Sequence, residues 1–146
     1  MDCKNPDASV KVRPIEHTAD VGISVEAPTK ELAVEASVCA LLNLICDTEK
    51  VSEAENVEIL LEDVSDYEGL LFDLLNEIIY LIDAKKMLFS RFEVEEFGPA
   101  FKAKLYGERF DPEKHEIKEQ VKAATYHQIS FQKSGDRWII QAIFDV

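Results

Sequence analysis

Two periods divide the chain. Apolar positions recurring every second residue predict strands, and those recurring every third or fourth predict helices, because side chains repeat at these intervals in the two structures. From Val12 to about Ala27 the pattern predicts two short strands or one bent one. Pro28-Thr29 then opens a helix with Thr29 at its N-cap. Leu32, Ala36, Cys39, Ala40 and Asn43 form one stripe, widened by Val34, Val38, Leu41, Leu42 and Ile45, so this helix is largely buried and ends near Asp47-Thr48. Val57, Ile59 and Leu61 predict a strand. Ser65-Asp66-Tyr67-Glu68 has capping-box spacing, with the Ser65 hydroxyl at the N-cap, and the helix behind it carries Leu70, Leu71, Leu74, Leu75, Ile78, Ile79, Leu81 and Ile82.

The period then returns to two. Phe92 and Val94, a Gly98-Pro99 turn, and Phe101, Ala103 and Leu105 predict an antiparallel hairpin that Gly107-Glu108 ends. Asp111-Pro112 begins a turn or a short helix. Lys122 to Lys133 predicts a strand, Ser134-Gly135-Asp136 a tight turn, and the run from Trp138 to Phe144, apolar at both parities, a central strand covered on both faces. The order predicts an α+β fold of largely antiparallel or mixed sheet layers with two main helices. Residues 1–12 are expected to be a flexible lead-in and residues 13–146 a single domain.

A chain of 146 residues that is 47% hydrophobic can bury a core without staples. Cys3, Cys39 and Cys46 are too few and scattered for a disulfide framework; Cys39 and Cys46, seven apart on one helix face, are expected to be core thiols. The N-terminal residues lack the apolar core of a signal peptide, and no apolar run reaches the roughly 20 residues that span a bilayer, so a cytoplasmic protein without membrane contact is expected. The net charge of −13 disfavours a direct grip on nucleic acid and favours cations or a basic protein partner. Any role in RNA chemistry would run through another protein.

Three places carry candidate chemistry. Glu16-His17-Thr18-Ala19-Asp20 packs two carboxylates, an imidazole and a hydroxyl at a strand entrance, although Thr18 and Asp20 also suit a turn. Asp145 and the Val146 carboxylate or carbonyl end a buried strand; if the fold brings Asp20 to them, the three make a minimal oxygen set for a hard cation. Glu108, His115, Lys122 and His127 form a third group, in which Lys122 could pair with Glu108. No phosphate-binding glycine loop, nucleophile elbow or Cys nucleophile context is present.

In family order, Glu16-His17-Thr18-Ala19-Asp20, Gly107-Glu108-Arg109-Phe110-Asp111, His115, Val121-Lys122-Ala123-Ala124-Thr125-Tyr126-His127 and Ile143-Phe144-Asp145-Val146 resemble the motifs of the archease family, from about Arg13 onward. The resemblance implies a non-catalytic protein cofactor of the RNA ligase that joins 3′-phosphate or 2′,3′-cyclic phosphate ends to 5′-hydroxyl ends in tRNA splicing and RNA repair. Such a cofactor promotes GTP-dependent guanylylation of the ligase and multiple turnover. The resemblance also implies a chaperone-like association with tRNA methyltransferases. It implies a divalent-cation site, described with calcium, at Asp20, Asp145 and Val146, and a role in partner activation for Lys122, with Glu108, His127 and His17 as further candidates. Oxygen ligation also suits magnesium or manganese. Two other readings stand beside this one. One is a stand-alone metal-dependent hydrolase using Asp20, Asp145 and His127. The other is a chaperone or modulator of tRNA-modifying enzymes.

Overall fold

Period and capping place the elements where the pattern predicts, with a few shifts. The computed structural model describes residues 1–16 and 20–146. β1 (Lys11–Glu16) and β2 (Asp20–Ala27) pair antiparallel. α1 (Lys30–Ile45) starts at Thr29, whose hydroxyl accepts from Leu32 N–H at 3.1 Å. β3 (Glu55–Leu61) follows, then α2 (Tyr67–Ala84). The α2 N-cap is Asp66 rather than Ser65: its carboxylate, three residues before Gly69, accepts from the Gly69 amide. β4 (Met87–Phe97) and β5 (Phe101–Arg109) form the expected hairpin, but β5 runs through Gly107 and Glu108 to Arg109. The stretch from Lys122 to Lys133 is two strands, β6 (Ala123–Ala124) and β7 (Ser130–Ser134), separated by a loop. β8 (Arg137–Asp145) closes the chain after a turn in which Gly135 takes φ 64°.

The architecture is α+β with two antiparallel sheets. One sheet has the order β1-β2-β8-β6, with β7 also pairing β8; the other is β3-β5-β4. β8 is therefore central, as its two apolar parities predict, but it is not covered evenly on both faces: on the outer parity Ile143 is buried while Ile139 and Gln141 are only half-buried. α1 packs on β2 and β8 of one sheet and on β4 of the other. This explains why Ala33 to Cys39 are buried without a break. That run includes Glu35, whose carboxyl burial pushes above its usual range although Val94 N–H donates to it at 2.9 Å. α2 packs on β6, β7 and β4. Tyr67, Phe97, Phe131 and Trp138 close the end of the core at the start of β8, with Lys30 Nζ 4.7 Å from the Phe97 ring centre.

The first residues are not a loose lead-in. Met1 to Cys3 lie alongside β4: the Met1 amino group donates to Phe92 O at 2.6 Å, and Cys3 N–H donates to Ser90 O at 2.9 Å. This docking brings Cys3 onto α1, where it forms a disulfide with Cys39, so Cys39 is not a free core thiol. Cys46 is free and buried, and burial pushes its thiol up to about 11, the condition of an inert side chain. Among the described residues no helix is long and apolar enough to cross a membrane.

Candidate functional site

β8 ends between two neighbours. Asp145 stands in register with Asp20 of β2 on one side and with Ala123 of β6 on the other. Residues directly opposite in an antiparallel pair project from the same face, with Cβ atoms about 5 Å apart. The pairing thus sets the faces of the sheet. Val21, Ile23, Val25 and Ala27 oppose Phe144, Ala142, Ile140 and Trp138 on the core face. Asp20, Gly22, Ser24 and Glu26 oppose Asp145, Ile143, Gln141 and Ile139 on the outer face.

The two aspartates, at opposite ends of the sequence, therefore share the outer face at one end of the sheet. Asp145 is exposed and Asp20 half-buried. One row inward, Ile143 lies over Gly22; a Cβ on Gly22 would sit 2.6 Å from Ile143 Cδ1 and 3.0 Å from Ile15 Cβ. The carboxylates thus border a dry apolar spot. Among the described residues neither has an ion-pair partner. Like charges directly opposite repel, and a cation between them reverses the sign.

The donor chemistry decides which cations such a pair would suit. Among the described residues no three His, Cys, Asp or Glu side chains gather to hold a metal ion. Two carboxylates need backbone, terminal or water oxygens to complete a set. This suits calcium, magnesium or manganese, which retain waters, better than zinc, which demands nitrogen or sulfur. Val146 follows Asp145 directly and its side chain packs on the core, so its oxygens are held near the pair rather than fraying away.

The neighbouring edge is held as firmly. Lys122 N–H donates to Asp145 O at 2.8 Å, and Thr125 N–H donates to Ile143 O at 2.9 Å. Asn76 of α2 completes β6 from outside: Ala124 N–H donates to its Oδ1 at 2.9 Å, and its Nδ2 donates to Ala124 O at 3.2 Å. The side-chain amide acts as one residue of a neighbouring strand. Sequence reasoning missed Asn76; the signal available was a polar residue beside the apolar stripe of α2, without an indication of its partner. Lys122 is exposed at this edge, and His127 is exposed in the loop after β6, its carbonyl accepting from Thr125 Oγ1 at 3.3 Å. His17 and Thr18 lie outside the described residues.

Glu108 is not brought to this group. It sits in the other sheet, opposite Leu88 of β4. Its Oε2 accepts from Lys114 Nζ at 2.7 Å, Ser52 N–H at 2.8 Å and His115 Nε2 at 2.9 Å, so its charged partner is Lys114, not Lys122. His115 is buried, and its Nδ1 accepts from Asp111 N–H at 2.9 Å, which leaves Nε2 as the donor toward Glu108. Lys114 also donates to Ser52 Oγ at 2.9 Å.

Burial raises the Glu108 carboxyl, but the Lys114, Ser52 and His115 donors outweigh it and bring the group down to about 2. A carboxylate lowered on folding adds stability above its unfolded value and loses it as pH falls through the folded one. Glu108→Gln should therefore cost roughly 1–3 kcal/mol at pH 7, with the difference from wild type closing between about pH 4.5 and 2. Urea unfolding of both proteins across that range checks it; a constant difference would mean that the charge contributes nothing.

Comparison with known proteins agrees with the motifs. The model of the archease protein family matches residues 13–146. Protein archease of Pyrococcus abyssi is 43% identical over 136 residues, covering 90% of this chain and 95% of that protein. Protein archease of Methanosarcina mazei is 36% identical over 146 residues, covering 97% and 99%. The solution structure of Methanobacterium thermoautotrophicum protein 1598 superposes with a TM-score of 0.76 at 26% identity, covering 94% of this chain and 99% of that one. The crystal structure of an archease from Thermotoga maritima, described as a possible chaperone, gives 0.67 at 27% identity, covering 92% and 96%. The chain belongs to the archease family.

Proposed function

We propose that this protein is an accessory factor of the RNA ligase that joins 3′-phosphate and 5′-hydroxyl RNA ends, and that Asp20, Asp145 and Val146 hold the divalent cation it needs, calcium first. Family membership supports the ligase as partner. The observation that carries the site is the register of β2 on β8, which sets Asp20 against Asp145.

When bound, the ion supplies positive charge and open positions for a phosphate oxygen. The residues of this chain do the rest. Asp20 and Asp145 present four carboxylate oxygens from two paired strands, so their spacing is fixed by backbone hydrogen bonds and not by mobile loops. The Asn76 clamp keeps β6 against β8 and with it the exposed Lys122, whose ammonium is available to a partner's phosphates. The acidic balance draws a basic partner and repels free RNA. In this reading the protein performs no bond chemistry itself; it raises the rate at which the ligase takes guanylate from GTP.

The chaperone reading calls for a broad apolar patch. Among the described residues the exposed large apolar side chains are Val12, Leu60, Tyr80, Ile117 and Tyr126, and the description of the Thermotoga maritima archease as a possible chaperone makes this the second reading.

The test mixes the purified protein with the ligase of the same source, labelled GTP and a divalent ion, and follows covalent label on the ligase. Faster labelling and more than one ligation per ligase are expected with the protein present. A competent ligase that labels equally with and without it would contradict the proposal.

A further inference from the structure

The loop between β6 and β7 carries Tyr126, 58% exposed and in ring contact with Phe72 of α2 at 4.4 Å between centroids. We propose that Tyr126, seated on Phe72, is the anchor by which this protein docks on a basic protein surface, its ring entering an apolar pocket with a positively charged rim. This deepens the reading given above and rests on it, with the ligase as the partner.

Three observations converge on this ring. The first is its rigid support. Thr125 N–H is bonded to Ile143 O, Asn76 holds both the N–H and the C=O of Ala124, and Ile129 N–H donates to Tyr126 O at 3.5 Å. A large aromatic held in one place before binding loses little freedom on binding, and rings of this kind dominate interface energetics. The second is position. Tyr126 lies three residues beyond Ala123, which is in register with Asp145, and three residues span at most about 11 Å, so one partner's footprint covers both the ring and the carboxylate end of the sheet.

The third is charge. Asp73 and Glu77 follow Phe72 and Asn76 on α2 and are both exposed. Lys122 and His127 are the basic residues of the same edge, also exposed. The helix surface beside Phe72 is acidic, and the whole chain carries −13. A basic protein face complements that rim, whereas a nucleic-acid strand that stacked a base on Tyr126 would bring phosphates against it.

The experiment measures the protein concentration that gives half-maximal ligase stimulation, and ligase binding by calorimetry, for wild type, Tyr126→Phe, Tyr126→Ala and Tyr126→Lys. Phe keeps the ring and should behave within about threefold of wild type, while Ala should weaken binding at least tenfold with maximal stimulation retained at high concentration. Lys is the second probe, because its stem still covers Phe72 while its ammonium meets the basic rim; it should weaken binding as much as Ala or more. Wild-type binding by Lys and Ala would overturn the inference while leaving the ligase reading intact. A wild type that neither binds nor stimulates a competent ligase would remove the ligase reading and this inference with it. Tight single-stranded RNA binding by the isolated protein, lost in Tyr126→Ala, would assign the ring to RNA and overturn the proposal.

Discussion

Replacing Gly107 by alanine is expected to cost at least 3 kcal/mol or to leave the protein insoluble, the scale of a backbone collision in a core strand. Gly107 is buried in β5, paired with Glu55 of β3 and Phe89 of β4. The ladder of β4 and β5 shifts register between Phe89 and Arg91, where Ser90 is passed over. There β4 closes on Gly107: a Cβ would lie 1.9 Å from Leu88 O and 2.8 Å from Phe89 Cα. These are backbone atoms of a paired strand, so no rotamer relieves them. One strand must move, and Phe89 and Phe92, both fully buried, move with it. Gly98 is the control, since a Cβ there meets nothing within 4 Å. Chemical denaturation should find Gly98→Ala within about 1 kcal/mol of wild type. A Gly107→Ala protein as stable as wild type would mean that the bulge does not constrain this position.

The second large effect concerns function. Asp20→Ala or Asp145→Ala should each return ligase guanylylation to its unstimulated rate. Both residues lie at a strand end on the outer face, one exposed and one half-buried, and each removal relieves a repulsion rather than opening a cavity. Folding should survive, which circular dichroism verifies, so lost stimulation would report the site. Lys122→Ala leaves the carboxylates in place and should reduce stimulation only partly. Full stimulation by either aspartate variant, with cation binding abolished, would separate the ion from the activity.

Much of the fold was legible because period and burial agree. The apolar stripe of α2 maps directly onto buried positions, and Thr29 caps α1 where the pattern places it; β8 is central as its double parity predicts, but on its outer face only Ile143 is buried, while Ile139 and Gln141 are half-buried. The differences have local causes. Ser65 and Asp66 offer the same capping chemistry, and which one caps depends on one residue of phase. The break between β6 and β7 is hidden because Gln128 takes φ 58° without the glycine that would announce it. The Cys3–Cys39 bond depends on Met1 to Cys3 joining β4, a long-range pairing that cysteine spacing does not encode.

The candidate site divides the same way. Asp20 and Asp145 are visible in the sequence as carboxylates at strand ends, but their meeting depends on β2 pairing with β8 in one register. A slip of one residue would send one of them to the core face. The sequence grouped Glu108 with Lys122 by proximity along the chain, whereas the fold puts Glu108 in one sheet and Lys122 at the edge of the other, just before β6. Asn76 carries no sequence signal of its role because, besides Phe72 O in its own helix, its partners are the N–H and C=O of Ala124 in a strand far along the chain.

If the facing carboxylates hold a cation, calcium stabilises the folded protein, and thermal unfolding with and without calcium reads this out. Without metal, Asp145→Asn should melt at or above wild type, because one of two facing charges is gone. With calcium at about 100 times its dissociation constant, wild type should gain about 2.7 kcal/mol, a shift of several degrees, and the variant should gain nothing. A wild type unmoved by calcium, magnesium and manganese, or a variant that responds equally, would contradict the account.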